Sequence, residues 1–336
     1  MKHTVVMGDL RGADIRPPVL FSEFRQLSIA DARTFFGAAE KLTDVACPAC
    51  GGEAKKAAFE KNGFHYHQCA ACKSVYVSPR PRPDALDDYY RHSRASRFRA
   101  EHFTSQTSEA RRRHVLRAHA FWLGRLFDEC GPSEARGYAD WGTNFPVIFE
   151  EVRALELFDP IVSLDPLPGL ERACEERGAP VTHDPPSGLG AVTAFEQLEH
   201  RFAPAEYLSR AHAMLAPGGM LFLTTKTISG FDLQALWDKA PYIYVPEHLN
   251  LLSIDGLAAL FERAGFSVVE LSTPGQLDLE FVQAAAREDA SIRLPSFVRY
   301  LLNHRDREAH EDFQAFLQKH RLSSHVRVAA IKPASE

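Results

Sequence analysis

Through the centre of the chain, short apolar runs alternate with stretches in which apolar residues return every three or four positions. Runs at 138–140, 160–165, 191–195 and 220–225 read as strands, and residues 147–157, 169–177 and 205–215 between them read as helices. This alternation predicts an α/β layer with a mostly parallel sheet. A helix over 257–264 stopped by Gly265, a strand over 266–271 and a last strand over 325–331 follow. The interval 278–322 has a helical period and is expected to be an insertion that builds a wall or cover.

The amino-terminal part has a different texture. Residues 1–44 form a leader with one predicted helix over 31–41 and no readable motif. Strands are expected at 64–68 and 74–77, and Pro79-Arg80-Pro81-Arg82-Pro83 should end that module, because X-Pro steps exclude helix and pair poorly in a sheet. Residues 84–132 then read as a charged helical connector, which divides the chain into 1–44, 45–83, 84–132 and 133–336.

Chemistry enters with the cysteines. Cys47-Pro48-Ala49-Cys50 and Cys69-Ala70-Ala71-Cys72 are separated by eighteen residues, a spacing that supplies four thiolates to one tetrahedral zinc. Gly51-Gly52 lets the first knuckle turn tightly. With four protein ligands such a metal is structural. Two disulfides or four free thiols are the other readings, and no apolar signal-like run after Met1 favours an oxidising compartment, so a cytoplasmic protein is expected. Cys130 and Cys174 read as core thiols.

The 336 residues are 45% hydrophobic and 25% charged with a net charge of −5, which disfavours a dedicated nucleic-acid binder. The run 91–117 is nevertheless arginine-rich. It reads first as a solvated helix face and second as a contact for an anionic substrate or partner. No run is long and apolar enough for a membrane span.

Four stretches carry a family resemblance: the cysteine module running into Val75-Tyr76-Val77-Ser78-Pro79-Arg80-Pro81, Phe195-Glu196-Gln197-Leu198-Glu199-His200, Leu215-Ala216-Pro217-Gly218-Gly219-Met220 with the strand after it, and Pro246-Glu247-His248-Leu249-Asn250. Together they resemble class I S-adenosylmethionine-dependent methyltransferases, in particular a bacterial subgroup with an amino-terminal zinc ribbon linked to sugar and surface-polysaccharide modification. The resemblance implies a Rossmann-like sheet with an antiparallel last strand. It also implies cofactor contacts from Asp140, Gly142, Asn144, Asp165, Phe195, Glu196 and Gln197, with Asp165 accepting the ribose hydroxyls. A turn-initiating role for Asp165 before Pro166 is the plain alternative.

The glycine-rich loop departs from the family pattern. In Asp140-Trp141-Gly142-Thr143-Asn144-Phe145-Pro146 only the first glycine of the expected Gly-x-Gly-x-Gly stands. The segment Tyr244 to His248 is similar to the Tyr-x-x-Glu-His element of sugar C-methyltransferases. His248 is therefore the candidate base, with Glu247, His200 and Tyr244 beside it, and an imidazole that titrates near neutral pH suits that task. The expected activity is methyl transfer to a carbohydrate or another small polar metabolite. A catalytically silent binding or assembly partner is the alternative that the altered loop keeps open.

Overall fold

The computed structural model describes residue 8 and residues 10–334. Helix Pro18–Phe36 starts earlier and stops earlier than the predicted 31–41, because Pro18 sits at its first turn, where no amide hydrogen is needed. Its buried Phe24, Ser28, Asp31, Ala32 and Phe36 form one stripe. Five strands follow: β1 (Leu42–Thr43), β2 (Lys55–Lys61), β3 (Phe64–Cys69), β4 (Val75–Val77) and β5 (Arg80–Pro81). Contrary to the expectation for the proline-rich stretch, β5 pairs with β1. A two-residue edge strand has no need of the amide hydrogen that proline lacks.

The central sheet holds β6 (Tyr138–Trp141), β7 (Ile161–Leu164), β8 (Val181–Thr182), β9 (Leu189–Phe195) and β10 (Leu215–Lys226) in parallel. After a short strand β11 (Asn250–Leu251), β12 (Ser267–Ser272) and β13 (His325–Ile331) complete it in the order β12-β13-β10-β9-β6-β7-β8, with β13 antiparallel to both neighbours. Strands such as β9, buried on both faces, require cover on both sides. Helices Pro204–Met214 and Ile254–Arg263 pack with one apolar cluster, helices Arg117–Cys130 and Ile148–Arg153 with another. Helices Asp278–Glu288, Ser296–His304 and Arg307–Lys319 lie between β12 and β13 in sequence and belong to a third cluster with helix Pro18–Phe36.

The cysteine module does not stand apart. Strand β11 adds to it, giving the sheet β11-β4-β3-β2, and Cys47, Cys69, Cys72 and Tyr76 share an apolar cluster with Leu252, Leu257 and Phe261. Tyr66 donates its hydroxyl to the carbonyl of His248 at 3.0 Å, and Arg263 Nη1 reaches the carbonyl of Ala49 at 2.6 Å. Arg80 joins the parts. It is 0% exposed and donates to three main-chain carbonyls: Val77 (3.0 Å), Phe202 (2.9 Å) and Leu249 (3.4 Å). Burial lowers its pKa to about 10, which still leaves it charged at neutral pH.

The arginine-rich run is divided: Arg94, Arg97, Arg113 and Arg117 lie exposed, as expected of a solvated face, while others are drawn inward. Wide helical turns at Arg99–Thr104 and Arg112–Leu116 shift the phase of the helix. Arg99 and Arg111 turn inward, with side chains 13% and 8% exposed. Arg112 and Arg117 hold Glu151 at 2.6 and 3.1 Å, and Arg94 holds Asp31 at 2.7 Å. Cys130 lies exposed at a helix end, whereas Cys174 is buried as expected.

Replacing Arg80 with Met leaves three carbonyls without their donor while keeping the apolar stem. Arg80→Met is expected to cost about 2–4 kcal/mol in urea unfolding, and Arg80→Lys should recover only part, since one ammonium cannot span three directions.

Candidate active site and metal centre

The two knuckles are built alike. Gly51 and Lys73 each take a left-handed φ, of 77° and 64°, one residue after Cys50 and Cys72, and each donates its amide to the carbonyl of Cys47 or Cys69. All four sulfurs lie within 4.8 Å of one another, with Cys47 and Cys72 3.6 Å apart and Cys50 and Cys69 3.5 Å apart. A tetrahedron with Zn–S bonds of about 2.3 Å has edges near 3.8 Å, and a disulfide would need about 2.05 Å. The cluster therefore fits one tetrahedral metal and excludes both disulfides. It is the only such group of histidines, cysteines and carboxylates among the described residues.

At the carboxyl ends of the parallel strands the predicted cofactor residues come together in part. Asp140 is the penultimate residue of β6, buried, and accepts from Thr193 Oγ1 at 2.6 Å; burial raises its pKa to about 6. Gly142 has φ 79°, and a Cβ there would meet Gln197 Oε1 at 2.3 Å, so the glycine is required by its own neighbour. Gln197 in turn donates to the carbonyl of Gly142 at 2.7 Å and accepts from Arg201 at 2.5 Å. Asp165 follows β7 and receives Trp141 Nε1 at 3.3 Å and faces His183 Nδ1 at 2.9 Å. Asp165 and Glu196 both have left-handed φ, 45° and 54°, and such strained backbone collects at ligand sites. The Nδ2 of Asn144 is buried with no partner, a spare donor beside the loop. Asp165, Gly142, Glu196 and that spare amide fit a polar nucleoside ligand, while Gln197 crowds the first glycine.

Beyond Glu196 opens a cavity of about 160 Å³ at the ends of β9, β10 and the antiparallel β13. Phe195 itself packs at a tilt against His119 with ring centres 4.7 Å apart, beside this opening. His200, Tyr244, Glu247 and His248 all line the cavity. The imidazoles of His200 and His248 are 6.2 Å apart, and Tyr244 lies 6.3 Å from His248. Glu247 does not hold His248. Its carboxylate takes Arg99 Nη1 at 2.9 Å, and Arg99 Nη2 reaches Asn144 Oδ1 at 3.4 Å, tying the loop to the far wall.

The protonation pattern also differs from the expected near-neutral histidine. Burial, then His200, Lys226 and Arg16, push His248 well below its ordinary value, and burial pushes His200 down to about 4. Both are neutral at pH 7. The group poised near neutrality is Glu199, raised to about 7 by burial against the bond from Thr225 Oγ1 at 2.6 Å. Glu199, Arg99, Arg111, Lys226 and Arg16 are cavity residues that motif reading does not single out. Only Glu199 stood inside a motif.

Residues 141–271 match a family model described as a methyltransferase domain. The fold is methyltransferase-like. Among curated proteins none matches the chain. Solved structures are similar at low identity: Haemonchus contortus phosphoethanolamine N-methyltransferase 2, determined with phosphomonomethylethanolamine and S-adenosylhomocysteine, at 16% identity and TM-score 0.46, covering 77% of this chain and 62% of that one. A chain of the complex between the Haloferax volcanii Trm112 methyltransferase activator and a methyltransferase gives 15% and 0.44, covering 68% and 95%. An S-adenosylmethionine-dependent methyltransferase of Thermotoga maritima gives 14% and 0.40, covering 68% and 98%. No helix among the described residues is long and apolar enough to cross a membrane.

Two outcomes check this site. Elemental analysis should find about one zinc per chain, and Cys69→Ser should lose it and loosen β11, read as faster amide exchange at 249–252. For Glu199, the folded pKa lies above the unfolded 4.5, so ionisation weakens the fold as pH rises from about 4.5 to 7. Unfolding of Glu199→Gln at pH 5 and pH 8 should show its advantage over the wild type growing across that interval.

Proposed function

We propose that the protein transfers a methyl group from S-adenosylmethionine to a carbohydrate or another small polar metabolite, with zinc held by the four cysteines in a structural role. The observation that carries this reading is the cavity beside Glu196, where two neutral imidazoles face inward and Arg99 ties the wall they stand on to the Asn144 loop. Bound cofactor supplies an electrophilic methyl on a sulfonium, and in-line displacement then depends on positioning and on removal of the acceptor's proton.

Each residue has a task within that reading. Asp165 would hold the ribose hydroxyls at the end of β7, with exposed His183 giving way, and Asn144 Nδ2 would donate to the cofactor. Gly142, Phe195, Glu196 and Gln197 would shape that crevice, and Asp140 would support it through Thr193. His248 would receive the acceptor's proton, already in the neutral form a base needs. His200 and Tyr244 would orient the acceptor hydroxyl. Glu247, fixed by Arg99, would hold the segment and lend negative charge as an imidazolium forms. The sugar-modifying subgroup is the specific family to which we assign it, on the motif at Tyr244 to His248, and a cytoplasmic setting suits reduced thiols.

A silent, partner-binding protein is the second reading, favoured by the contact of Gln197 on Gly142. Calorimetry with S-adenosylmethionine and S-adenosylhomocysteine separates the two. We expect binding, weakened by roughly 1–3 kcal/mol in Asp165→Ala. No heat at millimolar cofactor would favour the silent protein. His248→Asn should keep cofactor affinity and lower turnover by ~10²-fold. Full turnover in that variant would move the base to Glu199 or His200.

A further inference from the structure

The carboxylates of the cavity all have partners within the protein. Glu196 has Arg111 at 3.6 Å, Glu247 has Arg99 at 2.9 Å and Glu199 has Thr225 Oγ1 at 2.6 Å. Asp278 accepts from Gln314 Nε2 at 2.7 Å, Ser323 Oγ at 2.5 Å and the amide of Ser324 at 2.8 Å. Asp232, close behind, accepts from the Tyr242 hydroxyl at 2.5 Å.

Two of the cations have none. The ammonium of Lys226, a residue 9% exposed at the end of β10, has no hydrogen bond or ion pair among the described residues, and neither has the Arg16 guanidinium, whose Nη1 is buried. Both lie on the same two rings. Lys226 Nζ is 5.0 Å from the centre of Tyr242 and 5.8 Å from that of Phe281, and Arg16 Cζ is 5.4 and 4.9 Å from them. Contacts with aromatic faces recover only part of the free energy that a cation loses when it is withdrawn from water. Two like charges side by side add repulsion. Burial lowers the pKa of Lys226, which Asp232 opposes and Arg16 reinforces. His248 and His325, also facing the pair, are neutral, and the carboxylates whose charge reaches Lys226, Asp232, Asp278 and Glu196, are held by other partners rather than by direct ion pairs to it.

We propose that Lys226 and Arg16 form a seat for an oxyanion, a carboxylate or phosphate group carried by the acceptor. This rests on the acceptor reading given above and narrows it to an anionic metabolite. The position separates the seat from the cofactor's own carboxylate: β10 lies two strands from β6, roughly 10 Å from the Gly142 loop at ordinary strand spacing. Arg111, stacked 4.4 Å over Phe145 and paired with Glu196, is the cation on the loop side. Arg16 is brought in by the leader, held there by Arg111 Nη2 on the carbonyl of Ile15 at 3.2 Å and by Glu280 on the amide of Gly12 at 2.8 Å.

The test uses the full chain in oxyanion-free buffer. Inorganic phosphate or citrate at tens of millimolar should raise the thermal midpoint of the wild type above a chloride control of equal ionic strength. Lys226→Met should start from a higher midpoint, since an unpartnered buried charge is gone, and should not respond. By calorimetry glucose 6-phosphate should bind at least roughly tenfold better than glucose, with the preference lost in Lys226→Met and reduced in Arg16→Met. Equal binding of the two sugars, or a phosphate response unchanged in Lys226→Met, would overturn the seat. A fall in S-adenosylmethionine affinity in Lys226→Met would place the oxyanion on the cofactor and overturn the assignment to the acceptor. Wild type that ignores S-adenosylmethionine yet keeps a Lys226-dependent phosphate response would sink the methyl-transfer reading and leave the seat standing.

Discussion

Arg80 and the strand pairing around it are the constraint on which the remaining architecture depends. A fully buried guanidinium with no carboxylate beside it is tolerable only because main-chain carbonyls from three segments converge on it. One belongs to the cysteine module, one precedes helix Pro204–Met214, and one stands in the segment that carries His248. Since β11 also pairs with β4, the wall bearing Tyr244, Glu247 and His248 is mounted on the ribbon as much as on the central sheet. A metal held by the four cysteines would thereby have a route to the site without touching a ligand.

The electrostatics follow from the same closure. Helices between the ribbon and the central sheet cover the carboxyl ends of the strands, so charges placed there lose water and must find partners. Arg99 and Arg111 find Glu247 and Glu196, and burial, reinforced by nearby cations, keeps the histidines neutral. Glu199 has only a hydroxyl and stays near its midpoint at neutral pH. Such divergence among neighbouring groups in a cavity is what acid–base chemistry requires. The cofactor side is less clear-cut, because Gln197 and Arg201 occupy the approach to Gly142 that glycine-rich loops usually leave open.

Much of this was legible in the chain. Alternating strand and helix patterns located every strand of the central sheet but the short β8, and the cysteine spacing predicted a cluster that the sulfur distances bear out. Motif context brought His200, Tyr244, Glu247 and His248 to one cavity. Helix Pro18–Phe36 was only partly visible, since its amphipathic stripe includes Ser28 and Asp31, and β11 is too short to give any pattern. Reading 91–117 as solvated held for Arg94, Arg97, Arg113 and Arg117 but not for Arg99 and Arg111, because composition says nothing about phase, and two wide turns re-aimed the helix.

By itself the sequence determined what local rules can encode: the layer type through the period of apolar residues, the metal cluster through turn geometry, and the base candidates through short motifs. Tertiary structure alone decided which charges were paired. A pair such as Arg99 and Glu247, far apart in the chain, leaves no periodic trace, and neither does the lack of a partner at Lys226 and Arg16. The ionisation of His248 and Glu199 was likewise settled by burial, because the free energy of a charge depends on the water and the neighbours that folding removes or supplies.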